Sequence, residues 1–540
     1  MGQWAKPALL RDQAALFYPT VDSIVPEDHP VRLYDELFRV LDFSAWEAAY
    51  DGWRGRPPYH PRLLACALVY GLRLGLRSSR KLEDAARMRV DFIWLLDGRT
   101  PDHDTWAEFR KRFKQPLEEL FKQFGRMALA MGLIQLDLTA TDGKQVAANS
   151  SRHGTQTAEG LERALAAIEL ELTAALAELE AADAAGGPDL TRLPAKLRRK
   201  QDRQARLQEA MVVAKSADAA ALVAERKKGR KPKPAATAPG RKAKPVGKAV
   251  PVADPESKVL PNKDGGFRPN YTPMVTTAAG LGLIVAAGLA GDSGEPAALL
   301  EQLEQVAEGF GMLPGQALAD GAFGTGANLT ATAAMGVDLV APLAGVAKDQ
   351  APYERTEPHQ AVPPEDWPAL PRTPRTGQLD RRCFGYVADE DAYYCPRGER
   401  LKRWKSKWVE RTEGRVKCWL YRCGACAECP LRAACLTPQA KARTIQRDEY
   451  EEIRGRQAAK MAGPGIKAVY RQRSHLVETV FAHLKQAMGV RQFLLRGRRK
   501  VETEWLWYCL GFNVDRVVRE LQRQRLRVAE ALAQPAAQAA

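Results

Sequence analysis

LIQLDLTATDGKQVAANSSRH, residues 133–153, decides how the chain folds. From Leu133 to Asp142 apolar and polar residues alternate with period two, the signature of a half-buried strand. Asp142-Gly143 then sets a carboxylate at the end of that strand. Downstream the period changes. Leu161, Leu165, Ile168, Leu172, Leu176 and Leu179 recur at spacings of three and four with charged residues between them, which predicts an amphipathic helix with a coiled-coil-like stripe. Gly186-Gly187-Pro188 ends it, and a second helical run over about 191–225 either folds back as a hairpin or pairs with another copy.

Residues 226–250 hold ten Lys or Arg and no acid among many Pro, Ala and Gly, a composition unable to bury a core. Paired strands are expected at Tyr271–Thr277 and Leu283–Leu289, turning near Gly280–Gly282. The uncharged run from Met274 to Ala290 is 17 residues rich in Gly, Ala and Thr, too short and weakly apolar for a membrane span. A helix over Glu295–Gly309, a strand at Gln316–Asp320, a helix across Asn328–Met335 and a strand at Val337–Pro342 complete a mixed α/β sheet. Long helices follow at Arg471–Met488 and Val501–Leu521.

These shifts divide the chain into a helical unit at 1–128, a first α/β segment at 129–155 and a helical insertion at 156–225. A basic disordered linker at 226–258 leads into a second α/β segment at 259–344. A Pro- and Cys-rich insertion at 345–445, C-terminal helices at 446–525 and a disordered tail at 526–540 complete the division. Several units suit 540 residues, too many for one small core.

The balance of 81 Lys+Arg against 65 Asp+Glu, a net charge of +16, favours a polyanionic partner, since each cation set against a phosphate releases counterions. In 1–128, short helices end in PDHDTWAEFRKRF, with Asp102 or Asp104 as N-cap and Arg110 and Lys111 on the last helix. The pattern is that of a helix-turn-helix, against the plain reading of a helical bundle with one basic face. The start, MGQWAKPALLRDQ, lacks the apolar core of a secretory leader, so a cytoplasmic, reducing location is expected and the cysteines read as thiols or metal ligands.

Three acids stand out. Asp142 and Asp320 end strands, each followed by Gly, and Glu478 sits on a helix with Lys485 two turns further along the same face. Phosphodiester chemistry needs attacking and leaving oxygens held in line, which two divalent ions about 3.5–4 Å apart can do. Mg2+ or Mn2+ takes hard oxygen ligands from a few carboxylates. The bland alternative is an Asp-Gly turn at either strand end, with Asp137 as rival to Asp142.

These motifs resemble the DDE transposases of bacterial insertion sequences, a family with a ribonuclease-H-like catalytic domain and a Tyr-Arg-Glu-Lys signature. DGKQVAANSSRH (142–153) resembles the first-aspartate motif and DPESKVLPNKDGGFRPNYTPMV (254–275) the lead into the next strands. ALADGAFGTGANL (317–329) resembles the second-aspartate motif, and YRQRSHLVETVFAHLKQAMGVRQFLLRG (470–497) the glutamate motif. The resemblance implies Asp142, Asp320 and Glu478 as catalytic magnesium ligands, with Tyr470, Arg473 and Lys485 as matching DNA-contacting positions. It further implies double-stranded DNA partners, namely terminal inverted repeats and target, a homodimer or higher oligomer on DNA, and no membrane. Phe323, Thr479 and Ala482 depart from the pattern, and the Arg473-to-Glu478 gap is one residue longer, which leaves Arg471 as alternative to Arg473.

Seven of nine cysteines lie between Cys383 and Cys435. Their density suits tetrahedral zinc. CAECPLRAAC (426–435) resembles the family's cysteine stretch, so Cys395, Cys426, Cys429 and Cys435 are the expected ligands, with Cys423 as alternate and Cys383 and Cys418 as spare thiols. Tyr393, Tyr394, Trp404, Trp408 and Trp419 intermix with Lys and Arg nearby, either stacking on unpaired bases or packing a small lobe. Two further readings stand beside the active transposase: a DNA-binding relic of the same fold that no longer cuts, and a nuclease that hydrolyses without strand transfer.

Overall fold

The computed structural model describes residues 20–50, 57–184, 195–227, 249–261, 265–291, 294–343, 355, 357–374, 376–411 and 414–537. Its organising element is the expected strand, β1 (Ile134–Gly143). Antiparallel to it runs β2 (Pro273–Gly280), and antiparallel to that β3 (Ile284–Leu289). On the other side β4 (Gln316–Leu318) and β5 (Asp338–Val340) are both parallel, giving the order β3-β2-β1-β4-β5. The β2–β3 turn falls where expected. Gly280 has φ +88°, and a Cβ there would stand 2.7 Å from the Leu133 carbonyl oxygen, so a side chain is excluded.

Helices cover this sheet. Helix α1 (Pro30–Arg39), α2 (Pro61–Arg73), α3 (Ser79–Met88), α4 (Val90–Leu95), α5 (His103–Arg112) and α6 (Lys114–Ala130) precede β1. They do not form a separate unit. Trp46 lies 5.4 Å from Phe109, 5.0 Å from Phe113 and 5.9 Å from Trp507 between ring centroids, so one apolar core runs from these helices into the C-terminal helix and the sheet. That C-terminal helix spans Arg498–Ala537, continuing well into the stretch expected as a tail. Its Asn513 side chain accepts from Ile284 N (2.8 Å) and donates to Ile284 O (2.7 Å), satisfying backbone groups on the edge strand β3.

Between β1 and β2 the chain leaves and returns through the two-residue ladder Thr155–Gln156 with Val250–Pro251. Beyond it α7 (Ala158–Ala184) and α8 (Ala195–Lys227) form an antiparallel hairpin. Leu161, Ile168 and Leu172 bury against Leu197, Leu207 and Met211, and Lys215–Glu162 (3.4 Å) and Lys200–Glu171 (3.3 Å) bridge the pair. The hairpin thus buries Leu161, Ile168 and Leu172 of the stripe, while Leu176 stays exposed. Gly186-Gly187-Pro188 and linker positions 228–248 lie outside the described residues.

After α9 (Glu295–Phe310), β4, α10 (Gly326–Ala334) and β5, the expected Cys-rich insertion contains a second antiparallel sheet not foreseen from sequence. Its strands are β6 (Gly385–Val387), β7 (Ala392–Tyr394), β8 (Arg400–Arg411), β9 (Gly414–Cys423) and β10 (Thr444–Asp448), paired in chain order. The long helix expected over Arg471–Met488 is present and starts earlier: α12 (Pro464–Arg473) runs through a π-turn at Ser474–Glu478 into α13 (Thr479–Gln486), preceded by α11 (Glu451–Ala462) and followed by Arg498–Ala537 as α14. A π-turn accommodates one inserted residue in a continuing helix. It falls in the same interval as the residue by which the Arg473-to-Glu478 spacing exceeds the family pattern. No helix among the described residues is long and apolar enough to cross a membrane.

Candidate active site

Because β1 and β4 are parallel neighbours, their C-terminal ends share one edge of the sheet, and each end carries an aspartate. Asp142 is the penultimate residue of β1 and accepts a hydrogen bond from Gly143 N (3.0 Å). Asp320 lies two residues beyond β4 and accepts from Ala322 N (2.8 Å). Asp137, the rival position, is exposed near the other end of β1.

Helix α12 and the π-turn are fixed over this edge by apolar packing. Leu476 and Val477 bury against Ala140 of β1, Leu318 of β4 and Val340 of β5, with Tyr470 packed alongside. Each fully buried aliphatic side chain contributes about 1.5–3 kcal/mol. The docking brings Arg473 Nη2 to 3.1 Å from Asp142 Oδ2, with both side chains largely buried. Arg471 is exposed, so Arg473 is the arginine that meets the acid.

The titration behaviour reports how these groups gather. Burial raises the Asp142 pKa; Arg473 and the Gly143 N–H oppose the rise, and the charge of Asp320 adds to it. Tyr470 is raised by burial, lowered by Arg473, and raised again by Asp320 and Asp142. A third carboxylate also belongs to this group. Glu295, in the first turn of α9, is raised by burial and then by Asp320 and Asp142. A Cβ on Gly143 would lie 3.5 Å from Glu295 Cδ, which sets that carboxyl beside the backbone next to Asp142. Glu295 was missed in sequence because Gly-Glu-Pro reads only as a helix start.

Glu478 closes the π-turn, is exposed, and accepts from Ser474 Oγ at 3.1 Å. Lys485 on α13 is exposed, without an ion-pair partner among the described residues. No group of three His, Cys, Asp or Glu among the described residues stands close enough together to hold a metal ion. The oxygen donors of Asp142 and Asp320 nevertheless suit a hard divalent cation in chemistry, and their mutual repulsion is of the kind such a cation relieves.

One expected DNA contact is corrected. Arg110 is 6% exposed, its Nη1 donates to Arg77 O (2.5 Å), and its own carbonyl accepts from Trp507 Nε1 (3.2 Å). It holds helices together inside the core and presents no guanidinium to a duplex. Lys111 reaches the surface, paired with Glu108 at 2.6 Å.

In the second sheet's lobe, Cys395, Cys423, Cys426, Cys429 and Cys435 line one small cavity. The contact with Cys423 holds the Cys395 thiol below the usual range, while burial pushes Cys435 up to about 11. The two thiols expected to be spare are engaged elsewhere. Cys383 Sγ donates to Pro371 O (3.3 Å), and Cys418 Sγ accepts from Gln446 Nε2 (3.2 Å).

Comparison with known families returns two matches. The family described as Transposase DDE domain matches residues 394–518, and the Transposase domain (DUF772) matches residues 19–112. The first contains Glu478, Arg473 and all five cavity cysteines, whereas Asp142 and Asp320 lie outside both. No curated protein matches the chain.

Proposed function

We propose that this chain, which matches transposase families over residues 19–112 and 394–518, is a DDE transposase of an insertion sequence that binds terminal inverted repeats and catalyses metal-dependent cleavage and strand transfer at the β1–β4 edge. The observation carrying the proposal is the pair Asp142 and Asp320, in electrostatic contact at adjacent parallel strand ends with Arg473 closing on Asp142. The order β3-β2-β1-β4-β5, three antiparallel strands followed by two parallel ones, supports a ribonuclease-H-like reading of the sheet.

In this reading Asp142 and Asp320 would hold Mg2+ or Mn2+, with Glu478 as third ligand, and the cation would supply Lewis-acid chemistry for an in-line phosphoryl transfer. Arg473 orients the Asp142 carboxylate and offsets its burial, while Tyr470 shields the same edge from water. Lys485 and Lys111 supply exposed cations for DNA phosphates. In strand transfer a 3′-hydroxyl loses its proton, forms a new bond to a target phosphorus, and displaces the 3′-oxygen of the neighbouring nucleotide. Helices α3 to α5 serve as the helix-turn-helix-like reader of duplex DNA, and two or more copies assemble on the paired ends. The cysteine cavity holds structural zinc, a role that sulfur donors of this number and spacing support.

Joining precleaved ends to a second duplex with magnesium tests the reading. Wild type joins them, and Asp320→Ala loses on the order of 10³-fold or more, since an ion's charge stabilisation is worth several kcal/mol. Undiminished joining by that variant would sink the assignment; hydrolysis without joining would mark a nuclease.

A further inference from the structure

The second sheet extends into a two-stranded ribbon, β8 and β9, whose chemistry the strand-transfer reaction does not use. Residues 400–423 hold nine Lys or Arg against two Glu. Along β8 only Leu401 is buried, so both faces of a long strand meet solvent. Trp404 and Trp408 are 55% and 53% exposed, an unusual state for the largest apolar side chain and a mark of an interaction surface.

The register shows how the aromatics and cations are ordered. Trp408 faces Lys417, Ser406 faces Trp419, Glu410 faces Arg415 and Arg403 faces Tyr421, so these pairs share one face. On it Arg403 lies 5.4 Å from the Trp419 ring, Lys417 5.8 Å from the same ring and Arg415 4.9 Å from the Trp408 ring. Cation and indole thus alternate along the ribbon. Trp408 and Trp419 are diagonal neighbours, a relation that spaces residues by about 7–8 Å. That interval is comparable to two stacking steps and leaves room for one base between the rings. The Trp419 indole N–H has no hydrogen-bond partner although it is shielded from solvent. Trp404, displaced by the irregularity between Arg403 and Lys405, lies under Arg422 at 5.2 Å.

The tyrosines of the same lobe behave differently. Tyr393, Tyr394 and Tyr421 are buried, and Tyr393 and Tyr421 meet edge-to-face at 5.1 Å, so they pack the lobe; Trp404 and Trp408 stay available, and Trp419 is half-buried with one side against the lobe's core. The ribbon is also anchored. Arg411 and Arg454 both pair with the buried Asp448, at 2.8 and 2.5 Å, and Gln457 of α11 donates to Leu339 O and Ala341 O at β5. A chain of polar contacts therefore joins the ribbon to the catalytic sheet.

We propose that the β8–β9 ribbon is a binding platform for single-stranded DNA, stacking unpaired bases on Trp404, Trp408 and Trp419 while the intervening Arg and Lys hold the phosphates. Bases in a duplex are already stacked on each other and offer these rings nothing. A partner recognised by charge alone would need no exposed tryptophan. The inference rests on the transposase reading only for where unpaired strands arise, at opened or cleaved ends.

The test uses the full-length chain without added magnesium, a 15-nucleotide oligo(dT) and a duplex of equal length. Oligo(dT) is expected to quench tryptophan emission. Trp408→Ala and Trp404→Ala are each expected to weaken its binding about 5- to 100-fold. Duplex affinity should stay within about twofold of wild type, the size of effect expected when only charge contacts are retained. Trp408→Phe keeps most of the affinity, which separates stacking from a folding defect. Unchanged oligo(dT) affinity in both alanine variants, or equal losses for the duplex, would overturn the proposal. Neither result touches the joining assay with Asp320→Ala, so failure of the platform and failure of the catalytic reading are told apart.

Discussion

The two five-stranded sheets of this protein are held in opposite ways. The central sheet shares a core with helices from both ends of the chain, from Val25 to Val518, and burial of large side chains such as Trp46, Trp106, Trp505 and Trp507 carries its stability. The second sheet has a local core in which Cys383, Cys423, Cys426 and Cys435 stand where leucines would otherwise be. A unit that buries so little apolar surface needs a staple. The polar chemistry of each region follows from how its core is built. A deep shared core can bury acids at its edge and still remain folded, whereas in the thin core buried thiols take the place of aliphatic side chains, and the proposed zinc would cross-link them.

The contrast makes three measurable claims. The largest effect is expected from removing zinc. Structural zinc binding is worth about 10–16 kcal/mol at neutral pH, so chelation should unfold the cysteine lobe as a unit. Hydrogen exchange would show amides of β6 to β10 losing protection while those of β1 keep theirs. Zinc-free protein with an intact lobe would show that thiol packing suffices.

Next comes the join between the chain's two ends. Asp515 of α14 is fully buried and meets Arg73 Nη1 at 2.7 Å, Arg519 Nε at 2.9 Å and His483 Nε2 at 3.5 Å. Asp515→Ala leaves the largely buried Arg73 without its carboxylate and should cost about 3–5 kcal/mol in denaturant unfolding of the central unit. A loss below about 1 kcal/mol would mean the N-terminal helices fold as an independent domain after all.

The smallest effect is a shift in pH dependence. Burial raises the Asp142 pKa and Arg473 opposes that rise, so Arg473→Ala lifts it further. If catalysis needs the ionised carboxylate, the acidic limb of the strand-transfer profile moves to higher pH, and Arg473→Lys moves it less. A carboxyl whose pKa is raised in the folded state contributes stability that is fully present below its unfolded pKa and is lost as pH rises through the folded pKa. In the variant that loss is larger and runs to higher pH. An acidic limb unmoved by Arg473→Ala would detach this arginine from the acid's chemistry.

Local periodicity made much of the architecture legible. Alternation announced β1, the glycines at 280 and 282 marked the β2–β3 turn, and three-four spacing marked α7. The second sheet escaped because β8 exposes both faces, so its residues carry no alternation to read. Arg110 looked like a surface cation because helix position alone does not say which face a neighbour covers. Glu295 is 153 residues from Asp142 in a different element, and nothing in its own neighbourhood reveals the shared edge.

By itself, then, the sequence determined the identity and order of most elements, the basic character of the chain, and which aspartates end strands, because propensity, spacing and charge are properties of neighbours along the backbone. Tertiary structure alone decided that β1 and β4 lie side by side in parallel and that Arg473 rather than Arg471 meets Asp142. Those are contacts between residues far apart in the chain, and only the burial of their shared apolar surface selects one arrangement among the many that the local pattern allows.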